Sequence, residues 1–131
     1  MEKTFLMIKP DAMRKNLIGE ILKRAEDAGF KIVDLKVGKF SLTQARKFYQ
    51  VHQEKSFFEK LVKFVSSGKV VGVLLTRRNA VKKLRKLVGA TDPKEAKRGT
   101  IRRDFATNVT KNAVHASDSA QSFRYESKFF F

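Results

Sequence analysis

Two histidines, His52 and His115, and no cysteine make up the chain's imidazole and thiol inventory. Thiol nucleophiles and thiolate metal sites are therefore excluded at the outset. His115 lies in Asn112-Ala-Val-His-Ala-Ser-Asp-Ser119, a turn-like run of small residues with Asn112 three positions before it and Ser117-Asp118 just after. Imidazole is a nucleophile near neutral pH without help from a strong base, because its ordinary pKa is about 6.5. A small neighbour such as Ala116 leaves room at the ring. The plainer alternative for a lone histidine is a surface turn, with Asp118 capping a following helix. His52 takes that plainer reading, as a helix-end histidine beside the same region.

The second chemical feature is charge. The formal net charge is +16, and between Lys60 and Arg103 there are 14 Lys and Arg against Asp92 and Glu95. Such a stretch attracts polyanions: nucleic acid, nucleotide phosphates or an acidic membrane surface. Gly68-Lys69 lacks the upstream glycine of a Walker loop and is followed by Val70. No GxGxxG or HExxH occurs, and the histidines and scattered acids form no zinc pattern. The aromatic signature of RNA-recognition modules is missing as well.

These groups need a scaffold. At 131 residues, 42 % of them apolar and 12 of them Phe, the chain has the size and core material of one domain, 1–131. Absent cysteines suit a reducing cytoplasm. No apolar run approaches the roughly 20 residues needed to span a bilayer, and the first residues are too short a hydrophobic stretch for a secretory signal. Thr4–Ile8 reads as a buried strand, and Asn16 caps a helix from Leu17 to Ala28 that Gly29 stops. In Phe30–Phe40, Val33, Leu35 and Val37 alternate as one buried face of a strand. Ser41-Leu-Thr-Gln44 and Ser56-Phe-Phe-Glu59 read as capping boxes opening two helices. Val70–Leu75 is a central strand. Asn79 caps a helix with Leu84 and Val88 inside and Lys82, Lys83 and Lys86 outside. Asp92-Pro93-Lys-Glu95 opens a further helical turn. Lys97–Arg103 is an irregular basic stretch, and Tyr125–Phe131 ends the chain as a strand. The order predicts an α+β fold, a ferredoxin-like βαββαβ sandwich whose antiparallel sheet is covered by helices on one face.

Thr4-Phe-Leu-Met-Ile-Lys-Pro-Asp-Ala12, Phe57-Phe58, Gly89-Ala-Thr91, Gly99-Thr-Ile-Arg102 and the His115 stretch resemble, in order and spacing, the nucleoside diphosphate kinase family over nearly the whole chain. The resemblance implies ping-pong transfer of the γ-phosphoryl of a nucleoside triphosphate such as ATP to a nucleoside diphosphate, through a phosphohistidine at His115. It implies that Glu126 accepts a hydrogen bond from the other ring nitrogen, with Ser117 in support. It places Lys9, Arg85 and Arg102 around the phosphates, with Thr91 as a hydroxyl donor and Tyr49 beside the transferring group. Phe57 is expected to stack on the base in a slot lined by Leu61 and Val109, and Asn112 to bond the sugar. Mg2+ is expected to be held through the phosphates, with no dedicated protein ligands.

The resemblance further implies a homo-oligomer, a hexamer, tetramer or dimer, with no membrane attachment. Departures from the family pattern are mostly gains of positive charge, at Lys69, Arg77-Arg78, Arg98 and Arg103. They leave a second reading in play: a ferredoxin-like homologue whose basic patch binds nucleic acid non-specifically, with weak or no kinase activity.

Overall fold

The computed structural model describes residues 1–131. Its centre is a four-stranded antiparallel sheet in the order β2-β3-β1-β4, the ferredoxin-like arrangement. Strands β1 (Glu2–Ile8) and β3 (Val70–Arg77) pair from Glu2↔Arg77 to Ile8↔Val71. Strand β2 (Lys31–Gly38) lies on the far side of β3, and β4 (Val114–Ala116) on the far side of β1. Both central strands carry an apolar run, Phe5–Ile8 in β1 and Val70–Leu75 in β3, because both of their faces are covered there.

Side chains alternate across the sheet. Leu6, Ile8, Val71, Val73 and Leu75 face one core, with Ala12 of α1 (Pro10–Arg14), Ile21 and Ala25 of α2 (Ile18–Asp27), Leu84 and Val88 of α5 (Ala80–Val88), and Ile101 of α6 (Ile101–Phe105). Phe5, Met7 and Val70 face a second core. Its other side is Ala45 and Phe48 of α3 (Leu42–Phe48), with Phe58, Val62 and Val65 of α4 (Phe58–Val65). Helices thus cover both faces, not one. The second core is closed by the chain end, where Phe130 packs against Phe5 and Phe40. A Cβ at Gly72 would come within 2.5 Å of the Phe130 ring, so only glycine fits that point of β3.

Several local expectations are corrected. The chain end is not a strand: α7 (Ala120–Ser127) takes in Tyr125–Ser127, the residues after it form a turn, and Ser119 and Ser122 form its capping box in place of Asp118. The fourth strand is instead Val114–Ala116, so His115 sits on an edge strand and not in a turn. Val33, Leu35 and Val37 are 48 %, 36 % and 56 % exposed, because nothing in the chain packs on that face of β2. The Ser41–Gln44 capping box is present, but the Ser56–Glu59 one is not, and α4 starts after Phe57 with no side-chain cap. Neither Asn16 nor Asn79 caps with its side chain: both adopt positive φ. The carboxylate of Glu2 accepts the Val81 N–H at 2.7 Å in place of Asn79. The Asp92 carboxylate accepts only the Lys94 N–H, and no helix opens there. Arg102, expected in an irregular stretch, belongs to α6, which Thr100 caps. No helix is long and apolar enough to cross a membrane.

Candidate functional site

One cavity of about 990 Å3 opens beside the β4 edge. Its wall holds Lys9, Tyr49, Arg85, Thr91, Arg102, Asn112, His115 and Glu126, with Phe57, Leu61 and Val109 towards the mouth. Every residue expected at the site except Ser117 therefore lines a single cleft, although they come from six separate parts of the chain. Ser117 is fully buried one layer behind, and its hydroxyl donates to Glu126 Oε1 at 2.5 Å.

The β4 register fixes the histidine. His115 pairs with Met7, which puts its ring on the face of the sheet that carries Phe48 and Tyr49. Those rings stand edge-on to the imidazole, with centroids 5.2 and 5.7 Å away. Nε2 lies 2.9 Å from Glu126 Oε1. Its N–H bond points off the oxygen, so the pair is an electrostatic contact rather than an aligned hydrogen bond. Nδ1 makes no hydrogen bond and is the nitrogen open to the cleft. The ring is thus held by one nitrogen, flanked by aromatic walls and free at the other. Glu126 is itself buried on α7.

The cations fall into two kinds. Lys9, just after β1, is buried. Its Nζ donates to the Thr110 carbonyl at 2.9 Å and to Asn112 Oδ1 at 2.8 Å. Burial, with Arg102 adding repulsion and Asp11 opposing it, lowers its pKa to about 7. Arg102 is also buried, and burial and then Arg85 bring its pKa down to about 10. Its guanidinium donates to the Gly89 carbonyl at 3.1 Å and the Val114 carbonyl at 2.9 Å, while Nε has no partner. Gly89 ends α5 at φ +91°, which turns that carbonyl toward Arg102. Arg85 is exposed on α5 and donates to the Ala116 carbonyl at 3.1 Å. The Tyr49 hydroxyl is buried without a partner, and burial, with Glu126 next, raises its pKa. It therefore stays protonated, on a ring whose centroid lies 5.7 Å from that of His115.

At the mouth Phe57 is 44 % exposed, whereas Phe58 turns into the second core. The His52 ring stands 5.6 Å from Phe57 and lines the same cleft. Asn112 Nδ2 donates to the Thr91 carbonyl at 3.2 Å, so that amide ties two loops together. Sequence reasoning missed the α7 contribution to the wall, including Gln121, Ser122 and Tyr125. The Ser119-x-x-Ser122 box was its signal, a capping pair with serine in the place of the usual glutamate or glutamine. Thr110 was missed too, because it acts through its backbone carbonyl, which no sequence pattern reports.

An imidazole with one nitrogen against a carboxylate, at the base of a cleft lined by cations and faced by an exposed aromatic ring, describes a histidine-centred site for a phosphorylated, ring-bearing ligand on a ferredoxin-like sheet. The family model described as nucleoside diphosphate kinase matches residues 2–131, and the chain belongs to that family. A nucleoside diphosphate kinase of Nitratiruptor sp. is 52 % identical over 131 residues, covering 100 % of this chain and 96 % of the relative. The solved nucleoside diphosphate kinase of Aquifex aeolicus superposes with a TM-score of 0.96 at 45 % identity, over 99 % of this chain and 94 % of that one. That of Halobacterium salinarum, solved in complex with CDP, gives 0.95 at 37 % identity, over 99 % and 87 %.

Proposed function

We propose that this chain transfers the γ-phosphoryl group of a nucleoside triphosphate, ATP among others, to a nucleoside diphosphate in two half-reactions through His115. The observation that carries the reading is the imidazole itself: Nε2 set against the Glu126 carboxylate and Nδ1 open to the cleft. In the first half-reaction the Nδ1 lone pair attacks the γ-phosphorus. The Nδ1–P bond forms as the bond to the β,γ-bridging oxygen breaks, and the leaving diphosphate keeps the electron pair. The positive charge left on the ring is balanced through Nε2–H by Glu126, which Ser117 holds in place. In the second half-reaction a terminal phosphate oxygen of a different diphosphate attacks the same phosphorus, and the histidine leaves as the neutral base.

The remaining residues position and neutralise, which is what phosphoryl transfer chiefly requires. Lys9, Arg85 and Arg102 supply positive charge along the phosphates, Tyr49 offers its free O–H, and Thr91 adds a hydroxyl. Phe57 stacks on the base, and stacking tolerates any base because every base has a π-face. Leu61 and Val109 close that slot, and Asn112 meets the sugar. Magnesium would be held by the substrate phosphates and would neutralise part of their charge; no three His, Cys, Asp or Glu side chains gather to hold it, and Glu126 is committed to His115 and Ser117.

Incubation with labelled ATP followed by quenching tests the proposal. An acid-labile, alkali-stable phosphoprotein that a nucleoside diphosphate discharges is expected, and its absence overturns the reading.

The reading extends to assembly and to polyanions. The exposed Val33, Leu35 and Val37 on β2, an edge strand whose outer side is unpaired, support a homo-oligomer, a second copy covering that face. Light scattering that finds only monomer overturns it. The exposed cations of α5 and of residues 94–103 support non-specific nucleic-acid binding alongside catalysis, through phosphates and not bases. Binding that survives high salt and selects sequence would instead favour a dedicated nucleic-acid function.

A further inference from the structure

We infer that Asp11 is a positioning residue for His115: its carboxylate clamps the strained turn from which β4 starts. The inference rests on His115 being the phosphoryl carrier, as proposed above.

The turn is centred on Ala113. Its φ is +74°, a region that residues with a Cβ rarely adopt. The Val114 N–H donates back to the Asn112 carbonyl at 2.9 Å, closing a three-residue γ-turn of the rare positive-φ kind. Both polar groups of Ala113 are held from the stretch after β1, by Lys9 and by Asp11 of α1. Its carbonyl accepts the Lys9 N–H at 2.9 Å, and its N–H donates to Asp11 Oδ2 at 2.9 Å. Asp11 is buried, and its other oxygen, Oδ1, has no partner. A buried carboxylate committed to one backbone N–H and otherwise unsatisfied is costly to keep, and no element of the proposed transfer uses it.

What the clamp holds follows from the length of β4. The strand has three residues, an open outer edge, and only β1 as a neighbour. Three Cα pairs, Leu6↔Ala116, Met7↔His115 and Ile8↔Val114, set the whole register. The turn at Ala113 fixes where that ladder begins, and His115 is two residues on. It also sets Asn112, whose Oδ1 accepts from Lys9. If the carboxylate is removed, Ala113 can relax to negative φ and rotate the peptide that enters β4. The imidazole then moves relative to Glu126 and to an incoming phosphorus.

The test compares Asp11→Ala, Asp11→Asn and the double variant Asp11→Ala with Ala113→Gly. Phosphoenzyme formation from labelled ATP is followed in single turnovers, and kcat and KM in steady state. A misplacement of about 1 Å costs roughly 10²-fold, so Asp11→Ala should lose about that much in phosphorylation rate while the nucleotide KM changes far less. Asp11→Asn keeps an oxygen for the Ala113 N–H and should stay within a few-fold of the unmodified protein. Glycine adopts positive φ freely, so the double variant should regain much of the loss.

Equal losses in the Asn and Ala variants would overturn the clamp, because they would point to the charge of Asp11 acting on Lys9. Failure of the added glycine to recover any rate would overturn it too. Should Asp11→Ala not fold, the Ala113 amide in the unmodified protein decides. A proton shifted downfield and slow to exchange is expected, and exchange at the rate of an open amide overturns the inference. If the unmodified protein forms no phosphoenzyme at all, the proposed function fails, and the amide measurement still judges the clamp.

Discussion

The cations beside His115 and the cations of α5 are the same residue types in very different states. Lys9 and Arg102 are buried, each bonded to backbone carbonyls or an amide, with proton affinities lowered by their surroundings. Of the 14 cations between Lys60 and Arg103, Arg102 alone is buried, and Lys82, Lys83 and Lys86 project into solvent. A buried cation holds one place and is weakly screened, so it can meet a phosphate at a fixed position. An exposed lysine contributes a diffuse field that salt removes. Placement, and not the number of charges, separates a site from a patch.

The largest expected effect falls on neither group. His115→Ala should abolish phosphoenzyme and exchange while the circular dichroism spectrum is unchanged, and normal transfer by that variant would end the mechanism. His52→Ala should still form the phosphoenzyme, since that ring stands by Phe57 and not by Glu126.

The comparison itself is put at risk by single cation removals. Arg102→Ala and Lys9→Ala should each slow transfer by roughly 10²-fold or more, the scale of losing one preorganised donor, about 2.7–4 kcal/mol. Lys83→Ala should leave the rate within a factor of about two. Equal losses at all three would show that the field, not the placement, binds the phosphates.

A subtler effect follows from the Lys9 pKa of about 7 against an ordinary 10.5. Between those values the unfolded chain binds a proton that the folded chain lacks, so the Lys9 contribution makes stability rise with pH across that window. Phosphate favours the charged amine. Nucleotide binding at pH 8 should therefore take up part of a proton, measurable by calorimetry in buffers of different ionisation enthalpy. The uptake should shrink at pH 6 and vanish in Lys9→Met. No uptake at pH 8 in the unmodified protein would show that Lys9 is already charged there before the nucleotide binds.

The smallest effect is reserved for the patch. Replacing Lys82, Lys83 and Lys86 together by Gln should lower the salt slope of non-specific DNA binding. It should leave nucleotide affinity nearly unchanged at moderate salt. A matching fall in nucleotide affinity would join the two populations into one.

Much of this was legible in the sequence where one residue type has one physical use. Val70–Leu75, apolar throughout, read as a strand covered on both sides, and Ser41 with Gln44 does start a helix, although the same pattern at Ser56 and Glu59 does not. The site residues were recognisable as a set through their spacing in a family pattern. From their own chemistry, Arg102 and Lys83 look alike, because burial is decided by residues far off in the chain. The alternation of Val33, Leu35 and Val37 spoke truly of a strand and misled about its environment, since no part of this chain covers it. Val114–Ala116 was too short to show a period. Tyr125–Phe131 read as a strand because aromatic residues favour sheets, yet those rings serve as a plug under one.

The brevity of β4 has an outcome for how this gene can change length. Successive residues of a strand point to opposite faces, so one residue inserted between Ala113 and His115 would turn the imidazole away from Glu126 and into the α5 core. Two inserted residues would restore the side but push the histidine past Met7 along the sheet. The same arithmetic, run backwards, applies to deletions. The stretch therefore counts by parity as well as by identity, and a change of length there is read by the protein as odd or even before it is read as chemistry.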